Sequence, residues 1–336
     1  MGVFVLLPLL LPLTAVPIAR LAERHLHPRV ATRLLSALAA ALAVCSTVCL
    51  GLLVVVGTVQ LPGHPLPDAW AEREAPGTAP YEEAAGKGAV VALLAVAVSW
   101  STAARRHRRV RRRAEDALAG VPVPDGEPTV VPDEAAYAYA LPGVRTGSAA
   151  PRAWFGVGRA ARQSVRGGIS GGRIVVSTAM LACLDADERT ALVAHERAHL
   201  AGYHHRYLLV VRFAARANPL LLPLRSAVAY TTERWADEEA ARVTGERRVV
   251  ARAIGKAALV SRGTPTPTLS GFAAPGPVPR RVAALLEPAP SAGRWPPVFT
   301  AVGLAAWAAA AGTLGSALSS ANATVTLFLV LKAGPL

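Results

Sequence analysis

The sequence has few charged residues and few cysteines for a chain of 336 residues. Charged residues make up 17% of the chain, whereas a soluble domain usually contains about 25%. Two of the three cysteines, Cys45 and Cys49, lie inside an apolar run, which excludes a disulfide-stabilised scaffold. Hydrophobic residues, in contrast, make up 52%, and the mean hydropathy is +0.35. This composition excludes a disordered or fibrous protein and favours a membrane protein.

Acidic residues are the scarcer charged group, with 22 Asp and Glu against 36 Lys and Arg, which gives a net charge of +14. A large basic excess is also typical of nucleic-acid-binding proteins. Here, however, seven arginines are concentrated at 105–113, directly after an apolar segment. Basic residues at that position usually fix the orientation of a membrane helix. No nucleic-acid-binding motif accompanies the charge, so we expect the lipid bilayer, and no nucleic acid, as a partner.

Four apolar segments are candidates for membrane-spanning helices. They cover about residues 2–20, 34–61, 88–104 and 297–319, and a short apolar stretch follows at 324–331. A signal peptide fits the first segment poorly, because no basic residue precedes its apolar run. The third segment is at the short limit for a span. The final stretch is too short to span alone, and it either extends the fourth helix or lies at the interface.

Loop charges predict the orientation of these helices. The loop after the first segment is basic, the loop at 62–87 is acidic, and the third segment is followed by the arginine run. The positive-inside rule then places the N-terminus outside and 105–294 in the cytoplasm of a multi-pass plasma-membrane protein. The predicted organisation is three transmembrane helices in 1–104, a cytoplasmic domain in 105–294, and a transmembrane helix with an apolar tail in 295–336.

The cytoplasmic region has the pattern of a small α+β domain. Short runs at 129–131, 136–141 and 174–177 predict strands of a small sheet, and helical patterns dominate after Asp185. The glycine-flanked run at 171–177 has two interpretations. It is an edge strand that aligns a peptide by strand addition, or a hairpin strand with a structural role.

A helix is predicted to begin near Ala186 and to end at Gly202. Asp185 followed three residues later by Glu188 forms a capping-box pattern. Gly202 is a natural helix stop, because glycine adopts the backbone conformations found at helix C-termini. The pattern therefore places the intervening segment ADERTALVAHERAHLA on one continuous helix.

This helix contains His195, Glu196 and His199 in an HExxH pattern. Residues four positions apart lie on one face of a helix, so both imidazoles can bind the same zinc ion. Glu196 follows the first ligand and can reach a water at the metal instead of the metal itself. In that position it would act as the general base of a zinc hydrolase.

A catalytic zinc needs a third protein ligand and one open position. Glu233 and Asp237 lie four positions apart on a helix predicted at 229–244, so they share a face. We expect Glu233 to be the third ligand and Asp237 to orient a ligand histidine. His204 and His205 lie just past the glycine stop. We interpret them as an exposed polar corner, and the alternative is that one of them is an additional zinc ligand.

These motifs resemble two families of membrane zinc peptidases. The segments AHERAHLAGYHHR and ERWADEEA look like those of the M56 metallopeptidases, the group of the β-lactam sensor-transducers, and are also similar to the M48 gluzincins. The resemblance implies one Zn²⁺ per chain and a mainly α-helical fold, with multi-pass transmembrane helices and a cytoplasmic α+β gluzincin-like zinc metalloprotease domain. It also implies that the zinc ligands are His195, His199 and Glu233. Glu196 would be the catalytic residue, and Asp237 would support the ligands.

The M48 pattern would also carry a late His-Pro before an Arg-Ile. Here 278–282, with the sequence VPRRV, keeps an arginine but has no histidine. Arg281 is therefore a candidate oxyanion helper. The alternative is that Arg281 has only a structural role, as an arginine at the edge of the core. The M56 resemblance adds a layout of three spans, a cytoplasmic zinc domain and a fourth span.

The predicted function is an integral membrane zinc endopeptidase. Its substrate would be a protein, either a membrane protein or a cytosolic repressor. The alternative is a non-catalytic membrane signalling scaffold that retains a structural zinc ion. Such a site would be closed by four protein ligands, whereas a catalytic site keeps one position open.

Overall fold

The computed structural model describes residues 7–59, 80–121, 127–143, 172–261, 278–290 and 300–332. The structure is mainly helical and contains a small mixed sheet. The chain divides into two compact units. Unit 1 comprises 1–108, 207–229 and 292–336, and unit 2 comprises 109–206 and 230–291.

The helices and strands are numbered in chain order. The helices are α1 (Leu7–Leu10), α2 (Ala15–His25), α3 (Pro28–Val59), α4 (Pro80–Ala117), α5 (Thr178–Ala182), α6 (Ala186–Ala201), α7 (His204–Ala217), α8 (Leu222–Thr244), α9 (Arg247–Val260), α10 (Val278–Leu286) and α11 (Ala301–Lys332). The strands are β1 (Thr129–Val131), β2 (Ala138–Leu141) and β3 (Arg173–Ser177). Short 3₁₀ helices cover Leu11–Thr14 and Pro219–Leu221.

Two described helices are long and apolar enough to cross a membrane, judged by length and composition. They are Pro28–Val55 within α3 and Ala84–Ala117 within α4, and they overlap the predicted spans at 34–61 and 88–104. Helix α4 continues through the arginine run instead of ending before it, because arginine and alanine are good helix formers. Most of the predicted acidic loop lies outside the described residues.

The first and last predicted spans differ from expectation in shape. Residues 7–25 form two α-helices separated by a 3₁₀ turn, because proline removes a backbone donor and clashes with the preceding turn. Residues 2–6 lie outside the described part of the chain, so the span at 2–20 stays a prediction. Helix α11 runs over 301–332, so the apolar stretch at 324–331 extends the fourth helix.

The core of unit 1 joins the apolar helices to α7 and the start of α8. Leu35 and Leu42 of α3 are buried together with Val211 of α7 and Leu224 of α8. Small residues such as Ala39 let these helices approach closely.

The sheet of unit 2 has the order β1-β3-β2. Strand β3 pairs in parallel with β1 and antiparallel with β2. The interpretation of 171–177 as an edge strand is therefore wrong for its described part, because β3 is the central strand. Sequence alternation fixes which face of a strand is buried, but it does not fix which strands become neighbours. Strands β2 and β3 pair antiparallel, as in a hairpin, but residues 144–171 between them lie outside the described part of the chain, so the hairpin stays a prediction.

The core of unit 2 lies between the sheet and three helices. Buried apolar side chains of β2 and β3 pack against α6, which also contacts α9, and α9 packs against α10. Leu192 of α6, Ile254 of α9 and Leu285 of α10 are each almost fully buried. This packing fixes α6, which carries the HExxH pattern, against the sheet.

Candidate active site

The N-terminus of α6 is held by the predicted capping box. The backbone N–H of Glu188 donates to Oδ1 of Asp185 at 2.9 Å, and the backbone N–H of Asp185 donates to Oε2 of Glu188 at 3.0 Å. Glu188 is fully buried and also pairs with Lys256 of α9 at 2.6 Å. The predicted start of the helix is confirmed. The capping box and the ion pair together fix the register with which α6 presents its histidines.

His195, His199 and Glu233 bring three ligand atoms together, as the sequence predicts. The two histidine Nε2 atoms are 3.1 Å apart. Glu233 places Oε2 at 3.5 Å from Nε2 of His195 and Oε1 at 3.6 Å from Nε2 of His199. Ligands at 2.0–2.1 Å around a tetrahedral zinc ion lie about 3.3–3.4 Å from one another. The donor set and its spacing therefore fit zinc.

The three ligands differ in exposure. The His195 side chain is fully buried, whereas those of His199 and Glu233 are 12% and 17% exposed. Among the described residues, the group that can hold the metal contains only these three side chains, and His204 and His205 lie outside it. Three protein ligands with partial exposure are typical of a catalytic zinc site, which keeps its fourth position for water or substrate.

Asp237 and Arg281 support the ligands from the buried side. Oδ1 of Asp237 is 3.1 Å from Nδ1 of His195. Arg281 of α10 donates from Nε and Nη2 to the two oxygens of Asp237 at 2.9 and 2.6 Å, and its Nη1 is 3.2 Å from Oε2 of Glu233. Burial alone would raise the pKa of Asp237, but the Arg281 guanidinium and His195 hold it well below its usual range.

The two ligand histidines have opposite pKa shifts in the metal-free site. Burial lowers the pKa of His199 to about 4, so that this imidazole is neutral at physiological pH. Burial also acts to lower the pKa of His195, but hydrogen bonds to Asp237 and Glu233 outweigh it and raise the pKa to about 9. Because zinc binds the neutral imidazole, a protonated His195 would have to lose its proton to the solvent before it could act as a ligand.

Glu196 has the environment of a proton carrier. Its side chain is 1% exposed, and the backbone N–H of Ala140 on β2 donates to the carboxylate. Within the described part of the chain, its buried Oε1 atom has no hydrogen-bond partner. Burial, with a smaller contribution from Glu233, raises the pKa of Glu196 to about 7. A carboxyl group with that pKa can both accept and donate a proton near neutral pH.

The interpretation of His204 as part of an exposed corner is wrong. The side chain is fully buried, and its Nδ1 lies 3.0 Å from Nδ1 of His199. The reason is the tight turn at Gly202 and Tyr203, where Tyr203 adopts a φ of 53°. This turn starts α7 immediately and directs its first residue back towards α6. His205, the next residue, is only half-buried.

Residues 165–217 match the Peptidase family M48 domain. The matched segment includes β3, α5 and the whole of α6 with its HExxH residues, and 165–171 lie outside the described residues. No curated protein and no solved structure matches the chain. Glu233 follows the matched segment and completes the ligand group in space. The matched segment and the ligand geometry together identify an M48-type zinc metallopeptidase domain in this chain.

Proposed function

We propose that this protein is an integral membrane zinc endopeptidase that cleaves a protein substrate. One observation carries the proposal. His195, His199 and Glu233 place three possible metal-ligand atoms within 4.8 Å of one another, next to Glu196, a buried carboxyl whose Oε1 has no hydrogen-bond partner among the described residues. A structural zinc site has no need for a buried proton acceptor next to the metal.

The residues of the chain have distinct tasks in this proposal. Zinc, when bound, polarises the scissile carbonyl and lowers the pKa of water towards neutrality. Glu196 accepts the proton of the attacking water at its unpaired Oε1 and later donates a proton to the leaving amine. The Ala140 N–H holds the other side of this carboxylate, so that the group does not need to reorient during the reaction.

Asp237 is proposed to orient His195. Oδ1 of the carboxylate lies 3.1 Å from Nδ1 of His195 and holds that side of the ring, which leaves Nε2 of the imidazole for the metal. Arg281 balances the charge of Asp237 and Glu233, since its Nε and Nη2 donate to Asp237 and its Nη1 lies 3.2 Å from Oε2 of Glu233. These contacts favour a positioning role for Arg281, and its role as an oxyanion helper stays a prediction.

Replacing Arg281 by methionine is expected to destabilise the metal-free protein by about 3–5 kcal/mol, because the change leaves buried carboxylates without their charged partner. Thermal and denaturant unfolding of the full chain in detergent measures the loss. Arg280→Met is the matched control, because Arg280 is exposed and stacks on Tyr230 at 4.2 Å, a contact worth about 0.5–1 kcal/mol at an exposed site. Equal losses in the two variants would show that Arg281 is not the partner that stabilises the site.

A substrate strand is proposed to lie along β2. This strand pairs on one side with β3, and its Ala140 N–H reaches Glu196 instead of a neighbouring strand. An extended peptide added at that side would place its backbone beside the general base. Backbone hydrogen bonds align a peptide without regard to its side chains. The identity of the protein substrate, a membrane protein or a cytosolic repressor, stays a prediction.

The zinc domain is proposed to face the cytoplasm. The observation that supports this is the continuity of α4, in which the apolar part of the helix leads directly into the arginines at 105–113. The apolar helix α11 after the zinc domain supports an M56-like layout. The assignment to M56 and the count of four spans stay predictions.

Metal removal tests the proposed function. The full chain, purified in detergent, is expected to contain one zinc ion and to cleave an unstructured protein such as casein. Dialysis against 1,10-phenanthroline should abolish cleavage, and one equivalent of Zn²⁺ should restore it. Cleavage that persists in protein shown to be metal-free would contradict the proposal. One bound zinc without any cleavage of casein or of a proteome-derived peptide mixture would favour the scaffold alternative.

A further inference from the structure

We propose that His204 is a positioning residue for the zinc ligand His199, acting through a hydrogen bond between their Nδ1 atoms. This inference deepens the proposed function and rests on its zinc site, not on the cleavage of any substrate. The two atoms are 3.0 Å apart, and the His204 side chain is fully buried. Residues that orient zinc-bound histidines affect metal affinity although they do not contact the metal.

The geometry decides which ring nitrogen of His199 faces the metal. Its Nε2 is 3.1 Å from Nε2 of His195 and 3.6 Å from Oε1 of Glu233, so Nε2 is the ligand atom. A neutral imidazole that binds zinc through Nε2 carries its proton on Nδ1. His199 therefore donates from Nδ1, and His204 accepts at Nδ1 while its own proton resides on Nε2.

The two ligand histidines thus have different supports. Nδ1 of His195 lies against the carboxylate of Asp237 at 3.1 Å, whereas His199 donates to the neutral imidazole of His204. The site already contains the carboxyl groups of Asp237, Glu233 and Glu196 near the guanidinium of Arg281. A neutral acceptor orients the second histidine without adding a further buried negative charge, which would be costly to desolvate.

The surroundings of His204 fix the orientation of its ring. The ring lies 4.4 Å from that of Trp235 on α8 and is nearly perpendicular to that of His199, at 85°. Gly202 provides the space on the other side. A Cβ atom at Gly202 would lie 2.5 Å from Cδ2 of His204 and closer still to Nε2. Because Gly202 has a φ of −79°, alanine could adopt its backbone conformation, and the requirement for glycine is steric.

Two substitutions at His204 separate hydrogen bonding from packing. In His204→Phe the ring remains but the acceptor is lost. In His204→Asn the side-chain Oδ1, attached to Cγ like Nδ1 of histidine, can accept the bond, but the ring contact with Trp235 is lost. We measure the zinc affinity of the full chain in detergent by competition with a chromophoric chelator. In parallel we measure the thermal unfolding of the metal-free protein.

If His204 acts through its hydrogen bond, the two substitutions should have opposite effects: one should lower the zinc affinity and the other should lower the unfolding temperature. His204→Phe should weaken zinc binding about 10- to 100-fold and leave the unfolding temperature of the metal-free protein near that of the native chain. His204→Asn should retain the native zinc affinity but unfold at a lower temperature. Native zinc affinity in His204→Phe, or a greater loss of affinity in His204→Asn than in His204→Phe, would overturn the proposal and leave His204 a packing residue.

Two further variants keep the proposal falsifiable if His204→Phe does not fold. Gly202→Ala leaves His204 chemically intact but pushes its ring from its place, so it should also weaken zinc binding. His205→Phe changes the half-buried neighbour and should bind zinc like the native chain. Native affinity in Gly202→Ala, or an equal loss in His205→Phe, would overturn the proposal. Normal zinc binding without cleavage by the native chain would contradict the proposed function but not this inference.

Discussion

Replacing Glu196 by glutamine is expected to abolish peptide cleavage while the protein still binds one zinc ion per chain. Glutamine keeps the volume of the side chain and can still accept the Ala140 N–H, but it cannot take a proton from water. General acid–base groups contribute about 10²- to 10⁴-fold to the rate, so kcat should fall by that factor. The Glu196 side chain is not a metal ligand in the geometry of the site, so zinc affinity should be unaffected.

The measurement combines two readouts on the same protein preparation. Cleavage of casein is followed by mass spectrometry of the products, and zinc is quantified by elemental analysis. Glu239→Gln is the matched control, because Glu239 is an exposed glutamate that pairs with Arg242; it should retain native activity. Native cleavage by Glu196→Gln, or loss of its zinc, would contradict the role assigned to Glu196.

Replacing Glu233 by alanine is expected to weaken zinc binding more than any change at a supporting residue. Loss of a residue that only orients a ligand costs about 10- to 100-fold in affinity, and the loss of a ligand should exceed that range. The change also removes one of the two carboxylates that Arg281 contacts and leaves Arg281 paired with Asp237.

The zinc affinity of Glu233→Ala is measured by chelator competition, as for the His204 variants. Glu239→Ala serves as the control on the same helix, and its affinity should equal that of the native chain. Zinc binding by Glu233→Ala as tight as in the native chain would show that another residue is the third ligand. A loss in both variants would indicate a general effect on α8, not the removal of a ligand.

The ligand group could be predicted from sequence because its parts are local. His195 and His199 lie one turn apart on a helix whose start is encoded by Asp185 and Glu188, and helical spacing fixes their common face. The same spacing places Asp237 one turn from Glu233. The pattern required only that the two helices approach each other, which the chemistry of a zinc site demands.

The features that the sequence did not predict depend on contacts between distant segments. The central position of β3 results from pairing with β1 and β2, and no local pattern specifies it. The burial of His204 depends on the two-residue turn at Gly202 and Tyr203, whose positive φ is unusual for a tyrosine. The contacts of Arg281 join residues 44 positions apart, so its partners could not be read from its own surroundings in the chain.

The central claim, that this chain is a peptidase, is tested most directly by comparing new protein N-termini in two cell populations. One expresses the native chain and the other expresses Glu196→Gln at the same level. The account predicts a set of N-termini that appear only with the native chain, and these termini would identify the substrates. Identical sets of N-termini, with zinc bound in both proteins and with expression under several stress conditions, would contradict the account.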